Sequence, residues 1–87
     1  MAKMKVRLRF FASLREALGP HSDLELPEGS CVADVRDLLI GRGAPFAEAL
    51  GRQRLVRAAV NQVLCTDEAT VLGEGDELAF FPPVTGG

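Results

Sequence analysis

The sequence predicts an α+β domain, a mixed sheet of about five strands wrapped around one main helix. Three observations carry that expectation. Residues 4–12 alternate apolar and polar with the period of a strand. Val32, Val35, Leu38 and Leu39 recur at helical spacing. Beyond residue 54, short apolar runs separated by turn residues read as further strands.

The chain has 87 residues, of which 47% are hydrophobic and 25% charged. That is one small globular domain, and it excludes a disordered chain. No apolar run approaches the ~20 residues of a membrane helix. Lys3, Lys5, Arg7 and Arg9 interrupt the N-terminus, so no signal peptide is expected and the cytoplasm is the default location. A net charge of −2 argues against nucleic acid as a partner, and Arg52, Arg54 and Arg57 are read as a solvated loop and strand face. With two cysteines and one histidine, neither a disulfide scaffold nor a four-cysteine metal or iron–sulfur centre is within reach. The site residues therefore include no metal ligand.

Each element follows in order. In residues 4–12 the apolar set is Met4, Val6, Leu8, Phe10 and Ala12, and Lys5, Arg7, Arg9 and Phe11 face the other way. Phe11 is thus a large apolar residue on a cationic face. Ser13 to Leu18 reads as a short helical turn capped by Ser13 and stopped by Gly19-Pro20. Leu24-Glu25-Leu26 is a second strand, paired with the first as a hairpin, and His21 falls in the exposed turn before it. Ser30 is the expected N-cap of the main helix, with Asp34 near its positive end and Arg36 and Asp37 off its apolar stripe. Gly41 and Gly43 end it. Residues 44–51 are ambiguous, with a short helix started by Pro45 and burying Phe46 and Leu50 as one option. Residues 55–60 and 63–65 are strands joined at Asn61-Gln62, because asparagine tolerates the left-handed backbone of a two-residue hairpin turn. Residues 73–76 turn, and residues 77–81 form the last strand, closed by Pro82-Pro83. This order is that of the ubiquitin-like β-grasp fold. By analogy with that fold, the first and last strands lie side by side at the sheet centre. The expected organisation is a domain over residues 1–81 and an extended tail over residues 82–87.

The tail is the informative segment: Phe80-Phe81-Pro82-Pro83-Val84-Thr85-Gly86-Gly87. Two prolines force a stiff, extended exit. Gly86-Gly87 removes side chains, so the backbone fits a narrow channel. From Pro82 the tail spans at most about 20 Å, enough to carry the Gly87 carboxylate into a partner's active site. A carboxylate accepts a nucleophile only after activation, most simply as an anhydride with AMP, and the chain has no phosphate-binding loop. The tail is therefore expected to be a substrate presented to other enzymes.

The opening Lys5-Val6-Arg7-Leu8-Arg9-Phe10-Phe11-Ala12-Ser13-Leu14-Arg15-Glu16, the central Ala59-Val60-Asn61-Gln62 and the closing Gly75-Asp76-Glu77 through Gly87 resemble the MoaD/ThiS sulfur-carrier family, in particular its molybdopterin synthase small subunits. The resemblance implies that an E1-like enzyme uses MgATP to adenylate Gly87, while the chain itself binds no cofactor. A sulfur donor such as a cysteine desulfurase or rhodanese then converts the adenylate to a thiocarboxylate. Docked on the large synthase subunit in a heterotetramer, the carrier passes sulfur to cyclic pyranopterin monophosphate, and the catalytic residues are expected in that large subunit. Gly86 and Gly87 are the reactive end. Phe11, Leu64 and Phe81, with Pro82, Pro83, Val84 and Thr85, are the expected partner-binding residues. Cys65 is read as a small apolar residue and not as a sulfur carrier. Sulfur delivery to thiamin or tRNA, a ubiquitin-like protein modifier, and a plain interaction module remain the alternatives.

Overall fold

The computed structural model describes residues 2–83. The elements are β1 (Lys3–Phe10), α1 (Ala12–Leu18), β2 (His21–Pro27), α2 (Val32–Ile40), α3 (Phe46–Leu50), β3 (Arg57–Val60), β4 (Val63–Cys65) and β5 (Glu77–Phe81). The strands form one five-stranded sheet in the order β2-β1-β5-β3-β4. β1 and β5 run parallel at its centre, and every other neighbouring pair is antiparallel. The mixed sheet and the central pairing of first and last strands are those expected of a β-grasp. Val84, Thr85, Gly86 and Gly87 lie outside the described residues.

The alternation of β1 sorts its side chains as expected. Met4, Val6, Leu8 and Phe10 are buried and the intervening cations exposed. The buried set meets Leu24 and Leu26 of β2, Leu78 and Phe80 of β5, and Val32, Val35 and Leu39 of α2 in one core. Phe10 and Phe80 are partners in the parallel register, with rings stacked 6.2 Å apart at 15°. Asn61 and Gln62 both have positive φ, 49° and 70°, as a primed hairpin turn requires. Asn61 also ties this hairpin to β5: its Nδ2 donates to Asp76 and its Oδ1 accepts the Glu77 N–H, both at 3.0 Å. The turn before β5 depends on Gly75, whose φ of +80° disfavours any side chain.

Several local expectations are corrected. β1 ends at Phe10 and not at Ala12, because Ala12 takes a left-handed φ of 55°. Phe11, not Ser13, is the N-cap of α1, and no side chain caps that helix. His21 opens β2 instead of lying in a turn. Ser30 does not cap α2. Its hydroxyl donates to the Pro27 carbonyl at 2.7 Å, and Cys31 takes the N-cap. Asp34 accepts the Cys31 N–H at 2.9 Å, and that backbone hydrogen bond holds its carboxyl below the usual range. β3 starts at Arg57, leaving Leu55 70% exposed.

The largest correction is Arg36. It was expected off the apolar stripe of α2 but is buried, whereas Leu38 is 40% exposed. Val32, Val35, Arg36 and Leu39 stand at i, i+3, i+4 and i+7, one helical face, and Leu38 lies roughly 100° around from its centre. Arg36 donates to the carbonyls of Leu50, Gly51 and Arg54 at 2.7, 2.9 and 3.0 Å, and to Glu68 at 2.8 Å. The segment after α3 is held by this guanidinium instead of by a ladder, which is why β3 begins late. Arg52 extends the network, donating to Glu68 and Asp37 at 2.6 Å each. The Arg52–Arg54 part of the arginine cluster is thus structural.

Arg36→Met removes the fork but keeps similar bulk, leaving three carbonyls without their side-chain donor and Glu68 with Arg52 alone. It is expected to cost about 3 kcal/mol, a fall of at least roughly 12 °C in thermal melting for a domain of this size. For Glu68, burial pushes the carboxyl up, but hydrogen bonds from Arg52 and Arg36 outweigh it and the net shift is downward. A depressed folded-state value contributes stability that is present above the unfolded value and lost as pH falls through the folded one. Stability measured by denaturant titration should therefore drop as pH falls below about 4.5, and Glu68→Gln should flatten that part of the profile.

Candidate functional site: the outer sheet face at the tail exit

The sheet face opposite α2 is built by the register. Leu64 of β4 pairs with Ala59 of β3, Ala59 with Ala79 of β5, and Ala79 with Arg9 of β1, so these side chains form one row. The adjacent row contains Arg57 and Phe81, which pair directly. Phe11 keeps the parity of Arg9, and the Arg9 guanidinium carbon stands 5.1 Å from its ring centroid. This is cation–π distance. Alanines floor the face, and larger apolar groups stand at its rim.

Of the residues expected here, Phe11 is 37% exposed and Leu64 55% exposed. Phe81, Pro82 and Pro83 are half-buried. Phe81 shares the face of Ala79, as strand parity requires. The parallel direction of β5 delivers Phe81 to the end of β1 where Phe11 stands, and the Phe11 N–H donates to the Phe80 carbonyl at 3.2 Å. The exposed aromatic residues and the exit toward the tail are therefore neighbours. Pro82 and Pro83 carry no N–H and end the ladder there. Val84, Thr85, Gly86 and Gly87, the rest of the expected site, lie outside the described residues.

Two features escaped the sequence reading. On the outer face, Arg9 and Arg57 flank the aromatic end, and only knowledge of strand order brings them together. On the other face, Val63 pairs with Val60 of the core-side row and is 69% exposed. It lines, with Val60, Leu64 and Cys65, a hollow of about 260 Å³ at the sheet edge. Cys65 is half-buried against the core and its Sγ lies 3.0 Å from the Asp67 carbonyl. A second groove of about 300 Å³ lies between α1 and α3, lined by Leu14, Ala17, Ala49 and Leu55, and reaches Pro82. Among the described residues no group of three or more His, Cys, Asp or Glu is placed to hold a metal, and no helix is long and apolar enough to cross a membrane. The arrangement at the tail-exit end of the face suits recognition by another protein, with Phe11 exposed, Phe81 half-buried and the charges of Arg9 and Arg57 beside them.

Comparison with known proteins identifies the family of the chain. The ThiS family model matches residues 8–87, from within β1 to the final glycine. The chain is 43% identical over 79 residues to the molybdopterin synthase sulfur carrier subunit of Haemophilus influenzae, covering 90% of this chain and 94% of that one. It is 33% identical to small archaeal modifier protein 3 of Haloferax volcanii, covering 97% of this chain and 100% of that one. Its fold superposes with a TM-score of 0.69 and 26% identity on a chain from the complex of subunits 1 and 2 of the molybdopterin-converting factor of Helicobacter pylori, covering 97% of this chain and 100% of that one. A ubiquitin of Caldiarchaeum subterraneum shares the fold at a TM-score of 0.60 and 15% identity, covering 99% of this chain and 100% of that one.

The two sheet faces should separate cleanly on mutation. Leu64→Ser, on the exposed face, is expected to change stability by no more than about 0.5 kcal/mol. Phe80→Ala, in the fully buried stack, is expected to cost about 3–5 kcal/mol. Paired thermal melts check this, and a large loss from Leu64→Ser would mean that the outer face is held closed by packing.

Proposed function

The chain belongs to the ThiS family of sulfur carriers, and we propose that it serves in the cytosol as the small subunit of a molybdopterin synthase. The observation that carries this reading is the continuity of exposed Phe11, half-buried Phe81 and the Pro82-Pro83 exit on one sheet face, in a chain 43% identical to a molybdopterin synthase sulfur carrier subunit. Docking through that face would set the tail's direction before the tail enters the partner.

In this reading Gly87 is the reactive residue. An E1-like enzyme joins its carboxylate to AMP from MgATP, releasing pyrophosphate. The persulfide of a sulfur donor, such as a cysteine desulfurase or rhodanese, then displaces AMP to form an acyl disulfide, and a thiol cleaves its S–S bond, leaving a thiocarboxylate on Gly87 and a disulfide on the donor side. The carrier docks on the large synthase subunit through Phe11, Leu64 and Phe81. Pro82, Pro83, Val84 and Thr85 lead Gly86 and Gly87 inward, where sulfur passes to cyclic pyranopterin monophosphate. Two such transfers complete the dithiolene, and a heterotetramer with a carrier at each end accommodates them. The domain contributes recognition and reach, and the acid–base chemistry belongs to the large subunit.

Similarity to small archaeal modifier protein 3 favours a second reading, in which the activated Gly87 is joined to lysines of other proteins. The two share activation and differ in acceptor, as would a carrier serving thiamin or tRNA thiolation.

The deciding measurement is the mass of the untagged protein purified from its own cells. Exchange of one terminal oxygen for sulfur adds about 16 Da. Methionine oxidation adds nearly the same, so fragment ions must place the change on Gly87. The expected result is sulfur on Gly87, and no molybdopterin formed once Gly86-Gly87 are deleted. Covalent ladders on a denaturing gel with an unmodified free pool would instead select the modifier reading.

A further inference from the structure

Charge is distributed unevenly along the outer sheet face. At the end away from the tail exit, cations meet carboxylates across the strands: Lys5 pairs with Glu25, and Arg7 with both Asp23 and Glu77. At the exit end the matching stops. Arg9 has His21 and Ala79 as its register partners, and Arg57 has Phe81. Arg9 reaches Glu77 only diagonally, at 3.9 Å, with its side chain 45% exposed, a pair of little energetic weight. Arg57 is exposed and makes no ion pair among the described residues.

The two guanidiniums stand on strands separated only by β5, one residue pair apart in register. Strand spacing and rise place their attachment points about 12 Å apart, with Phe81 and Ala79 between them. The aromatic end of the face is therefore apolar at its centre and cationic on both flanks. A purely apolar partner surface would bury these charges without compensation, at a cost of several kcal/mol for each fully desolvated ion. A partner bearing carboxylates at matching positions meets them while packing on Phe11 and Phe81.

We propose that Arg9 and Arg57 are specificity-determining residues of the docking face, and that the partner surface it fits is apolar at the centre with carboxylates opposite these two guanidiniums. This inference rests on the molybdopterin synthase reading for the partner's identity. Charges at an interface rim act mainly on the rate of encounter, and apolar anchors act mainly on the lifetime of the complex. Arg9 and Arg57 therefore govern association, and Phe11 governs dissociation.

The test measures association and dissociation rates of the full chain with the large synthase subunit of the same organism, at about 50 and 500 mM salt, where screening lengths differ severalfold. Arg57→Glu, and Arg9→Glu with Arg57→Glu, are expected to lower the association rate about tenfold or more at low salt. The dissociation rate and melting temperature should stay nearly unchanged, and the difference should vanish at high salt. Arg57→Lys should restore most of the rate. Phe11→Ala should instead speed dissociation. If the wild type binds and the charge reversals associate within about twofold of it at low salt, the proposal is overturned while the synthase reading stands. If the wild type does not bind the large subunit at all, both fall together.

Discussion

The parallel pairing of β1 with β5 is the contact on which the rest of the structure depends. It joins strands roughly 70 residues apart in sequence, so no local preference brings them together and loop closure opposes it. What favours it is burial: Leu8 lies beside Leu78, and Phe10 is stacked on Phe80. Parallel neighbours have no tight hairpin solution. After the β1–β2 hairpin the chain has to leave the sheet, cover it with α2 and return before β5 can be laid down. The same pairing has a functional consequence. Because β5 runs in the direction of β1, it ends beside Phe11, and the tail leaves from the end of the sheet where the exposed aromatics stand. Had β5 been antiparallel to β1, Pro82 would have left from the opposite end, near Lys5 and Glu25.

Arg36 solves a second problem, created by the length of that return path. Between α3 and β3 the chain has no helix or strand to satisfy its carbonyls. A single guanidinium, with donors in a fixed fork, takes three of them and is neutralised by Glu68 from a distant loop. An apolar residue would pack on α2 but would leave these carbonyls without partners. The buried cation thus lies on the helical face as a polar keystone, and its charge is shared outward through Glu68 to the exposed Arg52.

These two constraints explain what was legible in the sequence. Period-two alternation in β1 and the Asn61-Gln62 turn are local, and they were readable because the sheet face and the turn each impose a residue type at each position. The strand order was reached only through analogy of fold, since no periodicity encodes which distant strand is a neighbour. Arg36 was misplaced because polarity was allowed to outvote spacing: its position is i+4 from Val32, and its burial is made tolerable by carbonyls that no sequence pattern announces. Ser13 and Ser30 have the side chains of caps, yet Ser30 closes a turn onto Pro27 and the left-handed Ala12 moves the start of α1 ahead of Ser13. Phe11, Leu64 and Phe81, the proposed docking residues, stand out in the sequence as exceptions to alternation or neighbours of a turn. Arg9 and Arg57 read in the sequence as ordinary solvated cations, because a cation on an exposed strand has no further meaning until its register partners are known.

A free carrier must keep an apolar patch available to partners without pairing with itself. The sheet edge nearest the patch is β4, only three residues long, too short to template a second chain well. The patch itself is floored by alanines, so its apolar area is concentrated in Phe11, Phe81 and Leu64. Two copies stacked with their aromatic ends together would bring Arg9 and Arg57 of one against those of the other, and like charges brought close repel. The cations that select an acidic-rimmed partner therefore also oppose self-association, and the patch can remain exposed because its flanks are charged. Under the docking proposal the same two side chains would serve partner selection and work against pairing of the aromatic ends.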